Sequence, residues 1–261
     1  MTNKTIVLGD THGRSFWKQI VHREDPDRVI FIGDYFDSFD ISGLDQIHNF
    51  KEIIEYKETS FSKEGTLEEH KTEVIMLIGN HDHHYFPEVG NTGTSGYQHG
   101  IAPNIIQVID ENRNHLQMAY QMGEYLFTHA GVSSKFMDNV FNDEFGWKVE
   151  NMAIDLNQLF RYKPNEFTFG MNTKMLSMSY LDPSGDNEDQ SPIWIRPRAL
   201  MRANKDTLRK HVIQVVGHTE QKQLDIKGAA TGGRYYFIDT LGTSGEYLIL
   251  EDGLVRTGSW M

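Results

Sequence analysis

Three short apolar runs in this chain each end in a glycine that is followed by aspartate or asparagine, with a histidine or a second aspartate within the next three residues. They occupy residues 6–13 (IVLGDTHG), 29–37 (VIFIGDYFD) and 74–82 (VIMLIGNHD). A short run of branched apolar residues that stops at glycine predicts a buried strand followed by a turn. Because ligands bind beyond the carboxyl ends of the strands in open α/β sheets, three such strands would bring their polar residues to one point. The pattern therefore predicts an α/β fold with a polar site at the strand ends.

Two further apolar runs lead into histidine. Residues 125–128 (YLFT) precede His129, and residues 212–216 (VIQVV) precede Gly217 and His218. Taken singly, a Gly-Asp pair is typical of a turn or a helix cap, and a His-Ala-Gly triplet is typical of a loop. Ordinary turns would mix serine, lysine and proline into these positions, whereas all five junctions here carry aspartate, asparagine or histidine. We interpret the five together as one ligand set.

The five blocks, in this order, resemble the calcineurin-like metallophosphoesterases. Within that family they are similar to the phosphoprotein phosphatase branch, in particular to the compact phage and bacterial serine/threonine phosphatases. The family pattern is Gly-Asp-x-His-Gly, Gly-Asp-x-x-Asp, Gly-Asn-His-Asp/Glu and two separate histidines, and here it extends from Asp10 to His218. Residues 194–197 (WIRP) and 238–240 (IDT) resemble further segments of the phage-type enzymes. The resemblance covers nearly the whole chain.

The resemblance implies a four-layer α/β/β/α sandwich of two mixed β-sheets with a dinuclear metal site at the strand ends. We expect residues 1–261 to form a single domain, because the candidate ligands extend from Asp10 to His218 and no linker-like tract divides them. Residues 162–190 lack a strong period and are expected to be an insertion that shapes the substrate groove. Residues 90–100, rich in glycine, threonine and serine, are expected to be a mobile loop beside the site.

By the family pattern, six residues hold two divalent metal ions. They are Asp10, His12, Asp34, Asn80, His129 and His218. Asp10 and His12 would bind the first ion, Asp34 would bridge both ions, and the other three would complete the second. Such a mixed set suits manganese foremost, and also iron, zinc, cobalt or nickel. Two ions roughly 3.5–4 Å apart would clamp a phosphoryl group and lower the pKa of a bridging water toward about 7, which supplies a hydroxide nucleophile.

A proton must also reach the leaving alkoxide, and His81 is the candidate general acid because it adjoins Asn80. Asp37 is its candidate partner, since a carboxylate on the far ring nitrogen would orient the imidazole and keep it protonated. The alternatives are that His81 is a turn residue bonded to the backbone and that Asp37 is a surface carboxylate. The other histidines near the site in sequence, His83, His84 and His99, are predicted to be local hydrogen-bonding groups.

The arginine that follows the second block in eukaryotic relatives is missing here, where Ser38 stands instead. The resemblance of residues 194–197 to the phage-type enzymes implies a phosphate contact there, so Arg196 is the first candidate for binding the substrate phosphate, and Arg14, directly after the first block, is the second. Asn80 is expected to contact the phosphate as well. The alternative for Arg196 is a surface charge or a salt bridge with an insertion carboxylate such as Asp186.

Hydrolysis of a phosphomonoester is the activity that the resemblance implies, with a phosphorylated protein or a small phosphomonoester as substrate. A phosphodiesterase or dinucleoside polyphosphate hydrolase is an alternative, because related enzymes share the same blocks. Many phosphodiesterases of the superfamily carry another histidine where this chain has Glu220, which favours the phosphatase. A non-catalytic scaffold of this fold would lack a ligand or the acid, and the complete set is present here.

Composition limits the partners. The chain has 37 acidic and 25 basic residues and a formal net charge of −12, so nucleic acid is not expected to bind. The absence of cysteine excludes disulfides, thiolate zinc sites and a cysteine nucleophile. Neither a signal-peptide pattern nor an apolar run long enough for a bilayer occurs, so we expect a cytoplasmic protein without a membrane partner.

Periodicity predicts the remaining elements. Helices are expected at residues 14–22, 44–57, 149–160 and 198–210. Strands are expected at 5–8, 28–32, 105–109, 116–120, 125–128, 212–216, 235–239, 247–250 and 254–258, and the polar segment 59–70 should be an exposed turn or helix end. Asp252-Gly253 predicts a tight hairpin between the last two strands.

Overall fold

Two mixed β-sheets form the centre of the protein. The computed structural model describes residues 4–60, 72–93, 96–141, 146–170, 182–204, 208–226 and 234–261. The first sheet contains β1 (Lys4–Leu8), β2 (Arg28–Phe31), β3 (Glu73–Leu77), β4 (Leu116–Gln117), β10 (Glu246–Glu251) and β11 (Leu254–Ser259), in the order β11-β10-β1-β2-β3-β4. The second contains β5 (Ala119–Met122), β6 (Tyr125–Thr128), β7 (Ile213–Val216), β8 (Asp225–Ile226) and β9 (Tyr235–Phe237), in the order β5-β6-β7-β9-β8.

Each sheet combines parallel and antiparallel strands. In the first sheet β1, β2, β3 and β4 run parallel, and β10 and β11 add an antiparallel hairpin next to β1. In the second sheet β6, β7 and β9 run parallel, and β5 and β8 are antiparallel to them. Within each parallel group the carboxyl ends of the strands therefore meet at one edge of the sheet.

Seven α-helices lie in the described residues. They are α1 (Trp17–Glu24), α2 (Gly43–Thr59), α3 (Asn80–His83), α4 (Ala102–Glu111), α5 (Ser134–Val140), α6 (Met152–Tyr162) and α7 (Pro197–Ala203). Helix α2 follows the predicted spacing, since Ile47, Phe50 and Ile54 are buried on one face. The side chain of Ser42 accepts the backbone N–H of Asp45 and so caps the start of this helix.

The alternation of side chains along β1 explains the layers on the first sheet. Val7 packs in one apolar cluster with Phe127 and Val215 of the second sheet, so this cluster lies between the two sheets. Its neighbours Ile6 and Leu8 pack in another cluster that contains residues of α1, α2 and α4. Because successive side chains of a strand point to opposite faces, the first sheet is covered by helices on one side and by the second sheet on the other.

A third cluster covers the far face of the second sheet. Val216 and Phe237, from β7 and β9, pack there against Ala199 and Leu200 of α7. The layers are therefore helix, sheet, sheet and helix, as predicted.

Two predicted elements were wrong. Residues 105–109, predicted as a strand, belong to helix α4, where Ala102, Ile105, Val108 and Ile109 are buried at helical spacing. Pro103 at the first turn favours this helix because its fixed φ suits that position. The predicted strand at 116–120 is divided between β4 of the first sheet and β5 of the second, so the chain passes between the sheets at this point.

Other boundaries differ more modestly. The helix predicted at 14–22 is α1, which begins at Trp17, and the one predicted at 198–210 ends at Ala203. The hairpin at residues 252–253 is confirmed, with Glu251 paired to Leu254 and positive φ at both turn residues. Parts of four predicted segments lie outside the described residues: 61–70 of the polar segment, 94–95 of the glycine-rich loop, 171–181 of the insertion and 205–207 of the helix predicted at 198–210. Among the described helices, none has the length and apolar character needed to cross a bilayer.

Candidate metal centre

The parallel strands of both sheets deliver the predicted ligands to one place. Asp10, Asp34 and Asn80 follow β1, β2 and β3, and His129 and His218 follow β6 and β7. Asp10, Asp34, Asn80 and His129 are at most 3% exposed. Direct contacts between these residues, described below, place all of them with His12 in one centre. The sequence-based expectation that the five blocks converge is therefore met.

Glycines before the ligands allow the loops to touch. A Cβ atom at Gly79 would overlap Oδ1 of Asp34, and one at Gly217 would overlap Oδ1 of Asp10. Only glycine leaves room for such an approach of backbone to a neighbouring carboxylate. The backbone is also unusual at His12, Asp34 and His218, which have φ of 43°, 54° and 65°. Strained non-glycine residues of this kind concentrate at functional sites.

Asp10, His12 and Asp34 form a group that could hold an ion, with one ligand atom from each lying within 4.8 Å of the others. Nδ1 of His12 donates to the carbonyl oxygen of Phe36 at 2.6 Å, which leaves Nε2 on the side of the carboxylates. That Nε2 lies 3.8 Å from Oδ2 of Asp34.

A second group shares the same carboxylate oxygen. Oδ1 of Asn80 lies 2.9 Å from Nε2 of His129 and 2.8 Å from Nδ1 of His218. Nε2 of His129 is also 3.4 Å from Oδ2 of Asp34, and its Nδ1 donates to the carbonyl of Ile32 at 3.1 Å. Oδ2 of Asp34 therefore lies within 4 Å of both His12 and His129, so the two groups share this carboxylate oxygen.

Burial and neighbouring charges shift the pKa values of the carboxylates and of His129 in this centre. Burial would raise the pKa of Asp34, but His129 and His81 outweigh it and hold that pKa well below its usual value. Burial and the neighbouring Asp239 raise the pKa of Asp10 well above its usual value. For His129, burial opposes protonation while Asp34 and Asp10 raise the pKa to about 9. The buried carboxylates therefore attract positive charge, and divalent ions would satisfy the same demand.

His81 and Asp37 form a hydrogen-bonded pair at the edge of the centre. Nδ1 of His81 donates to Oδ2 of Asp37 at 2.9 Å, and the backbone N–H of His81 donates to Oδ1 of Asp34 at 2.9 Å. The ring of His81 lies 5.4 Å from that of His12. Burial alone would lower the pKa of His81, but Asp34 and Asp37 raise it to about 9. Asp37 is 2% exposed, so it is not a surface carboxylate.

The two candidate phosphate-binding arginines differ in how firmly they are held. Arg196 donates through Nη1 to the carbonyl oxygen of His218 at 3.1 Å and to Oγ1 of Thr219 at 3.0 Å. Its Nε donates to the carbonyl oxygen of Ser184 at 2.9 Å. Arg14 donates through Nη1 to the carbonyl oxygen of Thr11 at 3.4 Å, a longer bond than those of Arg196.

Asp186 does not pair with Arg196. Its carboxylate lies 3.0 Å from Nη1 of Arg202, and Nε of Arg202 lies 3.0 Å from Oε1 of Glu188. Arg202, an exposed residue of α7, thus binds both Asp186 and Glu188. Arg196 instead contacts His218 beside the centre.

Asp82 is a structural residue of the centre that sequence reasoning did not single out. Its carboxylate accepts the backbone N–H groups of Asp34, Tyr35 and Gly79, each at 2.8 Å. These bonds fasten the turn after β2 to the turn after β3. The signal for Asp82 in the sequence was its place as the last residue of the Gly-Asn-His-Asp block.

Asp239 and His84 are two more residues of the site to which sequence reasoning gave no functional role. Asp239 follows β9, beside β7, and its side chain is hydrogen-bonded to that of Asp10. Nε2 of His84 lies 2.8 Å from Oδ2 of Asp37. The only signals were the resemblance of residues 238–240 to phage-type enzymes and the nearness of His84 to Asn80 in sequence. His83 does form the predicted local bond, with Nε2 2.9 Å from the carbonyl oxygen of Pro164.

Two solved structures with a similar fold are named as protein tyrosine phosphatases. A cold-active protein-tyrosine phosphatase of a psychrophilic Shewanella species matches with a TM-score of 0.64 and 16% identity over 99% of this chain and 78% of that chain. Another structure of a cold-active protein tyrosine phosphatase matches with a TM-score of 0.63 and 18% identity over 99% of this chain and 76% of that one. At these identities the likeness establishes the fold.

A curated protein also matches in sequence. It is a cyclomaltodextrin glucanotransferase of Thermoanaerobacterium thermosulfurigenes, 24% identical over 221 residues, which are 77% of this chain and 29% of that protein. This chain thus spans less than a third of the length of that relative. Nothing about the activity of the present chain follows from the match.

A family model matches most of the chain. The model of the calcineurin-like phosphoesterases matches residues 4–222, which include every ligand candidate from Asp10 to His218. The chain belongs to the calcineurin-like phosphoesterase family.

Proposed function

We propose that this protein is a phosphomonoesterase that depends on two divalent metal ions and acts on phosphoserine or phosphothreonine in proteins or on small phosphomonoesters. The observation that carries the proposal is the position of Asp34, whose Oδ2 lies 3.8 Å from Nε2 of His12 and 3.4 Å from Nε2 of His129 and so belongs to both ligand groups. Membership of the phosphoesterase family supports the reaction class. We further propose that residues 1–261 are one domain and that the protein acts in the cytoplasm.

The donor sets fit two ions of intermediate hardness. Asp10, His12 and Asp34 would hold one ion, and Asp34, Asn80, His129 and His218 would hold the other. Carboxylate, amide and imidazole ligands together suit manganese, iron, zinc, cobalt or nickel, and we propose manganese. Such ions lower the pKa of a bound water, so that a nucleophile is available at neutral pH, and they offset the charge on the phosphoryl oxygens.

His81 supplies the proton for the leaving group in this proposal. Its Nδ1 is committed to Asp37, so Nε2 is the nitrogen that remains to donate. The two carboxylates that raise the pKa of His81 keep the imidazole protonated at neutral pH. Cations bound at Asp34 would offset part of that effect and bring the pKa closer to the working pH, where general acids act best.

Metal content tests the dinuclear centre directly. After loading with Mn²⁺ at neutral pH and removal of excess metal, we expect elemental analysis to give two ions per chain. Anomalous scattering from crystals should place one ion near Asp10 and His12 and the other near Asn80 and His129. An empty site, or one ion per chain, would contradict the proposal.

Substrate class requires a parallel assay. We expect the Mn²⁺-loaded protein to hydrolyse p-nitrophenyl phosphate and phosphoserine peptides, and to act weakly on bis-p-nitrophenyl phosphate and dinucleoside polyphosphates. A preference for the last two would favour the phosphodiesterase or polyphosphate hydrolase instead. An Mn²⁺-loaded protein without activity on any of them would favour a scaffold.

Arg196 is our first candidate for binding the substrate phosphate, and Arg14 is the second. Because a bidentate arginine–phosphate pair depends on the planar guanidinium, Arg196→Lys should lose activity and Arg196→Ala should lose more. Inhibition by free phosphate should weaken in parallel. Arg198→Ala, at an exposed position two residues on, is the matched control. Near-normal kinetics and phosphate inhibition in both Arg196 variants would move the role to Arg14 or leave it to the metal ions.

A further inference from the structure

The carboxylate of Asp37 is enclosed by four polar side chains. Its Oδ2 lies 2.9 Å from Nδ1 of His81 and 2.8 Å from Nε2 of His84. Its Oδ1 accepts the hydroxyl of Tyr85 at 2.5 Å and Nε2 of Gln98 at 3.2 Å. The contacts of His81, Tyr85 and Gln98 are hydrogen bonds, and His84 adds a close polar contact to the same carboxylate. His81 borders the metal centre, and the other three side chains act on Asp37.

These contacts indicate a hydrogen-bonded cluster rather than a third metal site. Asp37, His81 and His84 could in principle hold an ion, because their ligand atoms lie within 4.8 Å of one another. Tyr85 and Gln98 occupy the other carboxylate oxygen, however, and both imidazole nitrogens already lie at hydrogen-bond distance from the first. An ion would have to displace bonds that satisfy a buried charge.

Packing fixes the ring of His84. The residue is 1% exposed, and its ring meets those of Tyr85 and Tyr97 edge-on at 4.5 and 5.1 Å. Tyr85 and Tyr97 are themselves stacked at 4.8 Å. His84 caps α3 three residues after His81, and residues at this spacing lie on the same side of a helix turn. Both imidazoles can therefore reach the same carboxylate oxygen.

The backbone alone does not fix the plane of an aspartate carboxylate, because its terminal torsion is broad and roughly two-fold. Donors on both oxygens must therefore hold that plane in Asp37. His81 takes its own orientation from Asp37, since Nδ1 is bonded there. The direction of Nε2, the nitrogen that would donate the proton, consequently depends on what holds Asp37.

We propose that His84 is a positioning residue, which holds the Asp37 carboxylate in the plane that aims Nε2 of His81 at the leaving oxygen. Tyr85 and Gln98 complete the same support from the other carboxylate oxygen. This inference rests on the proposed role of His81 as the general acid. It predicts an effect on proton donation without an effect on metal binding.

His84→Leu tests this role because leucine fills the space without donating. We expect kcat on phosphoserine peptides to fall about tenfold to 100-fold, the usual cost of losing an outer partner of an oriented imidazole. The loss on p-nitrophenyl phosphate should be clearly smaller, since its leaving group needs little protonation. KM and Mn²⁺ content should stay near those of the unaltered protein. His84→Gln, which keeps an N–H donor, should recover most of the activity.

Two further variants distinguish a loss of Asp37 positioning from a general loss of structure. Tyr85→Phe removes one donor to Asp37 and the acceptor of the Gln98 backbone N–H, while keeping the ring stack. It should shift the ratio of activities on the two substrates in the same direction even if His84→Leu does not fold. His83→Gln is the matched control, because this neighbouring buried histidine contacts Pro164 instead of Asp37. The ratio of its activity on phosphoserine peptides to that on p-nitrophenyl phosphate should stay unchanged.

The same assays on His81→Asn distinguish the inference from the proposed function. If His81→Asn discriminates between the substrates and neither His84→Leu nor Tyr85→Phe does, the inference alone is overturned. Equal losses on both substrates or parallel loss of Mn²⁺ in the His84 variants would also overturn it. If His81→Asn does not discriminate either, the general-acid role fails and the inference fails with it.

Discussion

Replacing Asp34 with asparagine is expected to lower phosphatase activity roughly 10³-fold or more, because Lewis-acid ions contribute several kcal/mol and about 1.4 kcal/mol corresponds to tenfold in rate. The amide keeps an oxygen for the backbone N–H of His81 but loses the second carboxylate oxygen, which faces His12 and His129. One shared ligand would therefore be removed from both ions. Elemental analysis should find fewer than two Mn²⁺ per chain, and titration calorimetry should show weakened binding.

Asp40→Asn is the matched control for this experiment. Asp40 is an exposed carboxylate on the same loop, so it tests the loss of one negative charge near the centre. We expect its metal content and its kcat to match those of the unaltered protein. If Asp34→Asn kept two tightly bound ions and most of its activity, Asp34 would not bridge the ions.

The ligand positions could be predicted from sequence because each depends on a local constraint that the sequence records. A Gly-Asp or Gly-Asn pair after an apolar run is required where a Cβ atom would collide with the neighbouring carboxylate, as at Gly79 beside Asp34. The strand before each block is buried on both faces, which a continuous apolar run indicates. Strand, glycine and ligand are therefore adjacent in sequence, so one short sequence pattern identifies all three.

Helix α4 shows where this reasoning failed. Ile105, Ile106, Val108 and Ile109 read as a short apolar run, and such a run does not distinguish a buried strand from one face of a helix. The helix begins earlier, at Ala102, with Pro103 in its first turn, and the apolar face is recognisable only when those residues are included. The five residues 105–109 alone are too few to show the helical period.

The support of Asp37 could not be predicted because it depends on residues that meet only in the folded chain. His84 and Tyr85 come from the segment after β3, Gln98 comes from the glycine-rich loop, and Asp37 follows β2. None of these pairs has a sequence spacing that identifies it. The described part of the loop at residues 90–100, which was expected to be mobile, contacts the site. A Cβ atom added at Gly96 would lie 2.7 Å from the ring of His81.

His81→Asn is expected to lower kcat on phosphoserine peptides by about 10²–10⁴-fold, the usual contribution of general acid catalysis. Asparagine can still occupy the helix position next to Asn80 and donate its backbone N–H to Asp34, so the metal centre should stay intact. The loss should therefore appear in kcat at near-normal Mn²⁺ content. It should be much smaller for p-nitrophenyl phosphate, because p-nitrophenolate leaves without a full proton transfer.

A series of aryl phosphates with increasing leaving-group pKa gives the sharper measurement. For the unaltered protein, log kcat should depend weakly on that pKa, because His81 neutralises the charge that develops on the leaving oxygen. For His81→Asn the dependence should become steep, so that the two lines diverge as the leaving group becomes worse. His99→Asn, an exposed histidine on the nearby loop, should follow the line of the unaltered protein. Parallel lines for His81→Asn and the unaltered protein would mean that His81 stabilises the bound phosphate without transferring a proton, and the role of general acid would then pass to solvent.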